Sequence, residues 1–115
     1  MEKSNVLRVP LKMENLFQIP QDILDGYDLY AMPDMSQADK NTIMYLDDHV
    51  SVDDETDEEI YPKFSVEHNL IWFFSGPVVA DIIMNTKHQL QNPTVDDFIV
   101  NFNYYNKNDC FFTFQ

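Results

Sequence analysis

The residues most able to do chemistry in this chain form one run of carboxylates. Asp47-Asp48-His49-Val50-Ser51-Val52-Asp53-Asp54-Glu55-Thr56-Asp57-Glu58-Glu59 carries eight acids and no lysine or arginine. Like charges at this density repel one another and cost folding stability until a counter-charge neutralises them. The run is therefore either a solvated loop or a docking surface for a cationic partner. Oxygen-rich loops can also bind calcium, but an EF-hand needs a glycine at its sharp turn and a closing bidentate glutamate. In the register starting at Asp53, Glu58 stands where the glycine belongs and Phe64 where the glutamate belongs. In the register starting at Asp47, Val52 occupies the glycine position. Neither register makes a metal site, and no metal or cofactor is expected.

The remaining reactive side chains fare no better. His49, His68 and His88 are far apart and share no metal-ligand spacing. His49 lies among carboxylates and reads as a surface histidine in an acidic field. Cys110 has Asp109 and Phe111 as neighbours, whereas a reactive thiolate needs a nearby cation or a helix N-terminus; it is expected as a small core residue. Ser75 lies in Phe74-Ser75-Gly76-Pro77, which lacks the preceding glycine of a nucleophile elbow. Two glycines in the whole chain leave no room for a Gly-rich phosphate loop. No active site can be assembled, so the expectation is a binding protein and not an enzyme.

Charge points the same way. The 115 residues hold 20 acids and 7 lysines and arginines, a formal net charge of −13. A surface of that sign repels nucleic acid and anionic membranes and attracts basic partners. The length fits one domain over residues 1–115, and 44 % hydrophobic residues can build a real core. One cysteine excludes an intramolecular disulfide. With no apolar leader at the N-terminus, it also suggests a reducing, cytoplasmic location.

The elements that must hold these residues can be read from periodicity. One or two short helices are expected over residues 11–24, interrupted by Pro20. Strands are expected at 27–32 and 42–46, the second apolar on both faces and therefore central. The acidic loop, about 47–59, follows it. An edge strand containing Pro62 is expected over 60–66, and another strand over 69–74. Ser75 and Pro77 suit the start of a helix bearing Val79, Ile82, Ile83, Thr86 and Leu90. Thr94, followed by Asp96 and Asp97, starts a second helix with an apolar stripe of Val95, Phe98, Ile99, Phe102 and Tyr105. A final strand is expected over 110–114. The order lacks strict βαβ alternation, so the class is α+β: a mainly antiparallel sheet, two C-terminal helices and a closing strand.

Several of these features carry a family resemblance. They are Ala80-Asp81-Ile82-Ile83, Thr94-Val95-Asp96-Asp97-Phe98-Ile99, Asn103-Tyr104-Tyr105 leading to Asp109-Cys110-Phe111, and Tyr45-Leu46-Asp47-Asp48 ahead of further acids. Over about half its length the chain resembles a small, acidic bacterial domain family that includes toxin-immunity proteins. More broadly it resembles the cytosolic immunity proteins of contact-dependent growth inhibition and related polymorphic toxin systems. It departs from that pattern in Cys110, in the aromatic run Phe111-Phe112-Thr113-Phe114 and in a longer acidic segment. The resemblance implies an inhibitor that occupies the cationic groove of a cognate toxin domain, a nuclease, by acting as a polyanion. Asp47, Asp48, Asp53, Asp54, Glu55, Asp57, Glu58 and Glu59 would form its electrostatic surface, with Tyr61 and Phe64 as apolar anchors. The alternatives are a nucleic-acid mimic that inhibits a DNA-binding enzyme, and a regulatory or scaffold domain with a solubilising loop.

Overall fold

Prolines break the N-terminal third into short pieces. The structure, a computed structural model, describes residues 2–115. A 3-10 turn at Lys3–Asn5 precedes α1 (Met13–Phe17) and α2 (Gln21–Leu24), the two short helices expected there. Pro20 caps α2 at φ −63°, a value its ring enforces. Both helices bury one face, through Met13, Leu16, Phe17, Ile23 and Leu24.

β1 (Asp28–Ala31), β2 (Tyr45–Asp47) and β5 (Ile71–Ser75) form an antiparallel sheet in the order β2-β1-β5. β1 is therefore the central strand, and the expectation that the strand around 42–46 is central is corrected. The outer edge of that strand is nonetheless paired. The N-terminal segment lies along the outer edge of β2, where Leu11 and Met44 exchange backbone hydrogen bonds of 2.9 Å and Arg8 N donates to Leu46 O at 2.9 Å. A bulge shifts the β1–β5 register between Leu29 and Tyr30, so that Leu29 faces Phe74 while Tyr30 faces Trp72.

β3 (Ser51–Val52) and β4 (Glu59–Ile60) pair as a separate hairpin, followed by α3 (Lys63–Glu67). This corrects the edge strand expected over 60–66. Only its first residue pairs, because Pro62 supplies no N–H and stands at φ −57° as the N-cap of a helix. Beyond β5, α4 (Gly76–Gln89) and α5 (Val95–Asn108) are the two expected helices. Ser75 Oγ caps α4 through Val78 N, and Thr94 and Asp97 make a reciprocal capping box on α5. Gly76 is required where α4 leaves the sheet. A Cβ there would lie 1.7 Å from Leu24 O and 2.1 Å from Tyr27 O.

α4 and α5, with α1 and α2 packed against them, cover one face of the three-stranded sheet, whereas α3 meets Asp47 on the other. Phe98 and Phe102 of α5 are fully buried, Phe98 stacking on Phe17 at 5.1 Å and Phe102 on Phe73 at 5.6 Å. The class is α+β. The closing strand over 110–114 does not form, because side-chain amides take up its backbone groups. Gln89 donates to Phe112 O at 2.7 Å and accepts from Phe114 N at 3.0 Å, while Asn101 Oδ1 accepts from Phe112 N at 2.8 Å. Cys110, expected in the core, is exposed.

Candidate functional site

Side chains alternate along a strand, so the residues of β1 that do not face α4 and α5 point to the opposite side of the sheet. Leu29 and Ala31 enter the core; Asp28 and Tyr30 belong to the other face. Cross-strand pairing adds Asp47 opposite Asp28 and Tyr45 opposite Tyr30. Two carboxylates directly opposite each other repel, and both are almost fully buried, at 5 % and 0 % exposure. Each is compensated separately. Asp47 accepts from Arg8 Nε at 3.0 Å, Asp48 N at 2.8 Å and Ser65 Oγ of α3 at 2.8 Å. Asp28 meets His49 Nδ1 at 2.7 Å and accepts from Trp72 Nε1 at 3.0 Å.

These contacts anchor the base of the acidic segment. Tyr30 Oη donates to Asp48 O at 2.7 Å, and Arg8 Nη2 pairs with Asp48 Oδ2 at 2.9 Å. Burial, reinforced by Asp28, Asp47 and Asp48, pushes the Tyr30 phenol well above the ordinary tyrosine value. Arg8 reaches its two partners from a left-handed backbone at φ 56°. At the far end of the hairpin, Asp53 Oδ1 accepts from Glu55 N at 2.8 Å and Thr56 N at 3.0 Å. Those two bonds hold the Asp53 carboxyl below its usual range.

The sequence-derived site residues divide into three groups. Asp54, Glu55, Asp57, Glu58 and Glu59 are exposed on the hairpin, with Asp53 half-buried at its turn. None of these six forms an ion pair among the described residues. Asp48 is exposed but engaged by Arg8. Asp47 is the correction: it is buried under α3 and contributes nothing to an exposed acidic surface. Its role is to join Arg8, β2 and α3. Tyr61 is 42 % exposed and donates to Glu59 Oε2, which raises its phenol above the ordinary value. Phe64 is half-buried, stacked on His68 at 4.0 Å and tilted against Tyr45 at 5.7 Å, so much of its ring is already covered.

Beside the hairpin lies a groove of about 480 Å³ lined by Val50, Glu59, Tyr61 and Trp72. Trp72, 43 % exposed, was missed in the sequence, as were Asp28, Tyr30 and His49 as the hairpin's moorings. The Asp28-Leu29-Tyr30-Ala31 alternation held the signal for a polar second face. Trp72 could be placed on that face only after the bulge was known. Among the described residues, no group of three or more His, Cys, Asp or Glu side chains is arranged to hold a metal ion. Nor is any of their helices long and apolar enough to cross a membrane.

No curated protein and no solved structure matches the chain. A family model does match over residues 10–114, spanning the sheet, the acidic hairpin and both long helices: the chain belongs to the family described as a domain of unknown function, DUF7716.

Proposed function

We propose that this protein is a non-catalytic binding protein that captures a basic protein surface with its acidic hairpin. The specific form we propose is a cytoplasmic bacterial immunity protein whose partner is a cognate cationic toxin domain, a nuclease. One observation carries the reading: six carboxylates between Asp53 and Glu59 have no ion-pair partner among the described residues, while the base of their hairpin is moored through Tyr30, Asp28–His49 and Arg8–Asp48. An anchored polyanion loses less conformational entropy on binding than a free loop and presents its charge in one arrangement. Complementary charge also speeds encounter, with association rate constants reaching about 10⁸ M⁻¹s⁻¹ at low salt. Occupying a phosphate-binding groove in this way blocks substrate without any chemistry by the inhibitor.

The test is growth rescue. The product of the coding segment immediately upstream is expressed through its C-terminal region, with and without this protein. Arrest relieved by this protein, and not by a variant neutralised at Asp53, Asp54, Glu55, Asp57, Glu58 and Glu59, is the expected result. Rescue that survives neutralisation, with unchanged salt dependence of binding, removes the hairpin from the mechanism. Displacement from several unrelated DNA-binding proteins by DNA would favour the nucleic-acid mimic instead.

A further inference from the structure

Carboxylates alone attract any cation, and the groove beside them has chemistry of a narrower kind. Its walls are an indole, a phenol, a valine and one carboxylate, from Trp72, Tyr61, Val50 and Glu59. The two aromatic walls are held in place by polar bonds. Trp72 Nε1 is tied to the buried Asp28, and Tyr61 Oη to Glu59. Asp28 is itself held by His49, so the indole is fixed through the same moorings as the hairpin. Glu59 forms no ion pair among the described residues.

We infer that this groove receives one arginine side chain of the basic partner, its guanidinium stacked on Trp72 and Tyr61 and its N–H groups on Glu59. The inference rests on the reading of the hairpin as a docking face for a basic protein and names the anchor of that interaction. Charge complementarity selects a cation. The flat aromatic walls select arginine over lysine, because a planar, weakly hydrated guanidinium stacks on rings and pairs with a carboxylate through a fork of donors. A compact ammonium sheds water less readily. Hot spots of protein interfaces are also enriched in Trp, Tyr and Arg seated in well-packed pockets.

Trp72 is the chain's single tryptophan, so its emission reports on the groove directly. The full chain is titrated with hexa-arginine and hexalysine at about 0.15 M salt, with emission and calorimetry read in parallel. The expected result is a saturating change in Trp72 emission with hexa-arginine and several-fold weaker binding of hexalysine. Glu59→Gln and Tyr61→Ala, both at exposed positions, should each weaken hexa-arginine about three- to tenfold. Trp72→Phe should retain more affinity than Trp72→Leu, with folding of each variant checked by circular dichroism. Equal affinity for the two peptides overturns the arginine assignment. Calorimetric binding with unchanged emission and no loss in Glu59→Gln places the peptide elsewhere on the hairpin, refuting the groove while leaving the docking face intact. The parent reading fails differently: neither peptide binds, and neutralising residues 53–59 alters nothing.

Discussion

Replacing Asp47 separates holding the fold from meeting a partner. Its carboxylate accepts three hydrogen bonds, from Arg8 Nε, Asp48 N and Ser65 Oγ, at 3.0, 2.8 and 2.8 Å. Asp47→Ala removes all three bonds at once. Ser65 is 1 % exposed, so its hydroxyl loses a partner without access to bulk water, at a cost of about 1–3 kcal/mol. Arg8 is 41 % exposed, so solvent recovers much of its side of the pair and its loss adds only about 1 kcal/mol. With the peptide N–H of Asp48, the total is about 3–4 kcal/mol. At a urea dependence of about 1.5 kcal/mol per molar, the unfolding midpoint falls by roughly 2 M. Asp47→Asn keeps an oxygen for Arg8 and Asp48 and offers Ser65 an amide donor, so it should lose about half as much. Urea unfolding followed by circular dichroism measures both. The affinity of whatever fraction remains folded for the proposed basic partner should be unchanged, since Asp47 reaches no surface. Asp47→Ala within about 0.5 kcal/mol of the parent would refute the reasoning, because the buried Ser65 hydroxyl cannot lose its acceptor without cost.

Three further outcomes follow from the same geometry. Gly76→Ala forces a Cβ against the Leu24 and Tyr27 carbonyl oxygens and should cost about 3 kcal/mol or more, seen as a large fall in the thermal midpoint. Thr94→Ala removes the cap that meets Asp97 N and should cost about 1 kcal/mol, a thermal shift of roughly 4 °C. Tyr30 has a folded pKa above its unfolded value, so its contribution is complete below the ordinary 10.0 and is lost as pH rises beyond it. In an ultraviolet titration one tyrosine should therefore resist ionisation until the chain unfolds, and Tyr30→Phe should flatten that alkaline loss.

The long helices were legible because each announced itself twice, by a stripe at helical spacing and by its cap: Ser75 with Pro77, and Thr94 with Asp97. β1 and β5 were legible as apolar runs. Position within the sheet was not, because the outer edge of β2 is paired by a backbone segment, residues 7–11, that has no strand pattern of its own. The C-terminal aromatic run reads as a strand by composition. Its hydrogen-bond partners are the amides of Gln89 and Asn101, which no local pattern can reveal. At the candidate site, the exposed acids from Asp53 to Glu59 were legible from charge alone. Asp47 was indistinguishable from Asp48 until register placed one under α3 and the other in solvent. Trp72 joins the groove by tertiary placement, on a strand whose bulge sets which side each ring faces.

The order of the sheet has a consequence for how fast the chain reaches it. β1 acquires β5 as a partner from far along the sequence; Asp28 and Trp72, bonded to each other, are 44 positions apart. The intervening stretch contains every carboxylate of the hairpin. Closing that loop means compressing a self-repelling segment before the rewarding contacts exist, which adds to the ordinary entropy of distant pairing. Added salt screens that repulsion. Stopped-flow refolding should therefore accelerate with ionic strength while unfolding changes little, and neutralising residues 53–59 should abolish the difference. The charge proposed to meet a basic partner would then also slow the chain's assembly.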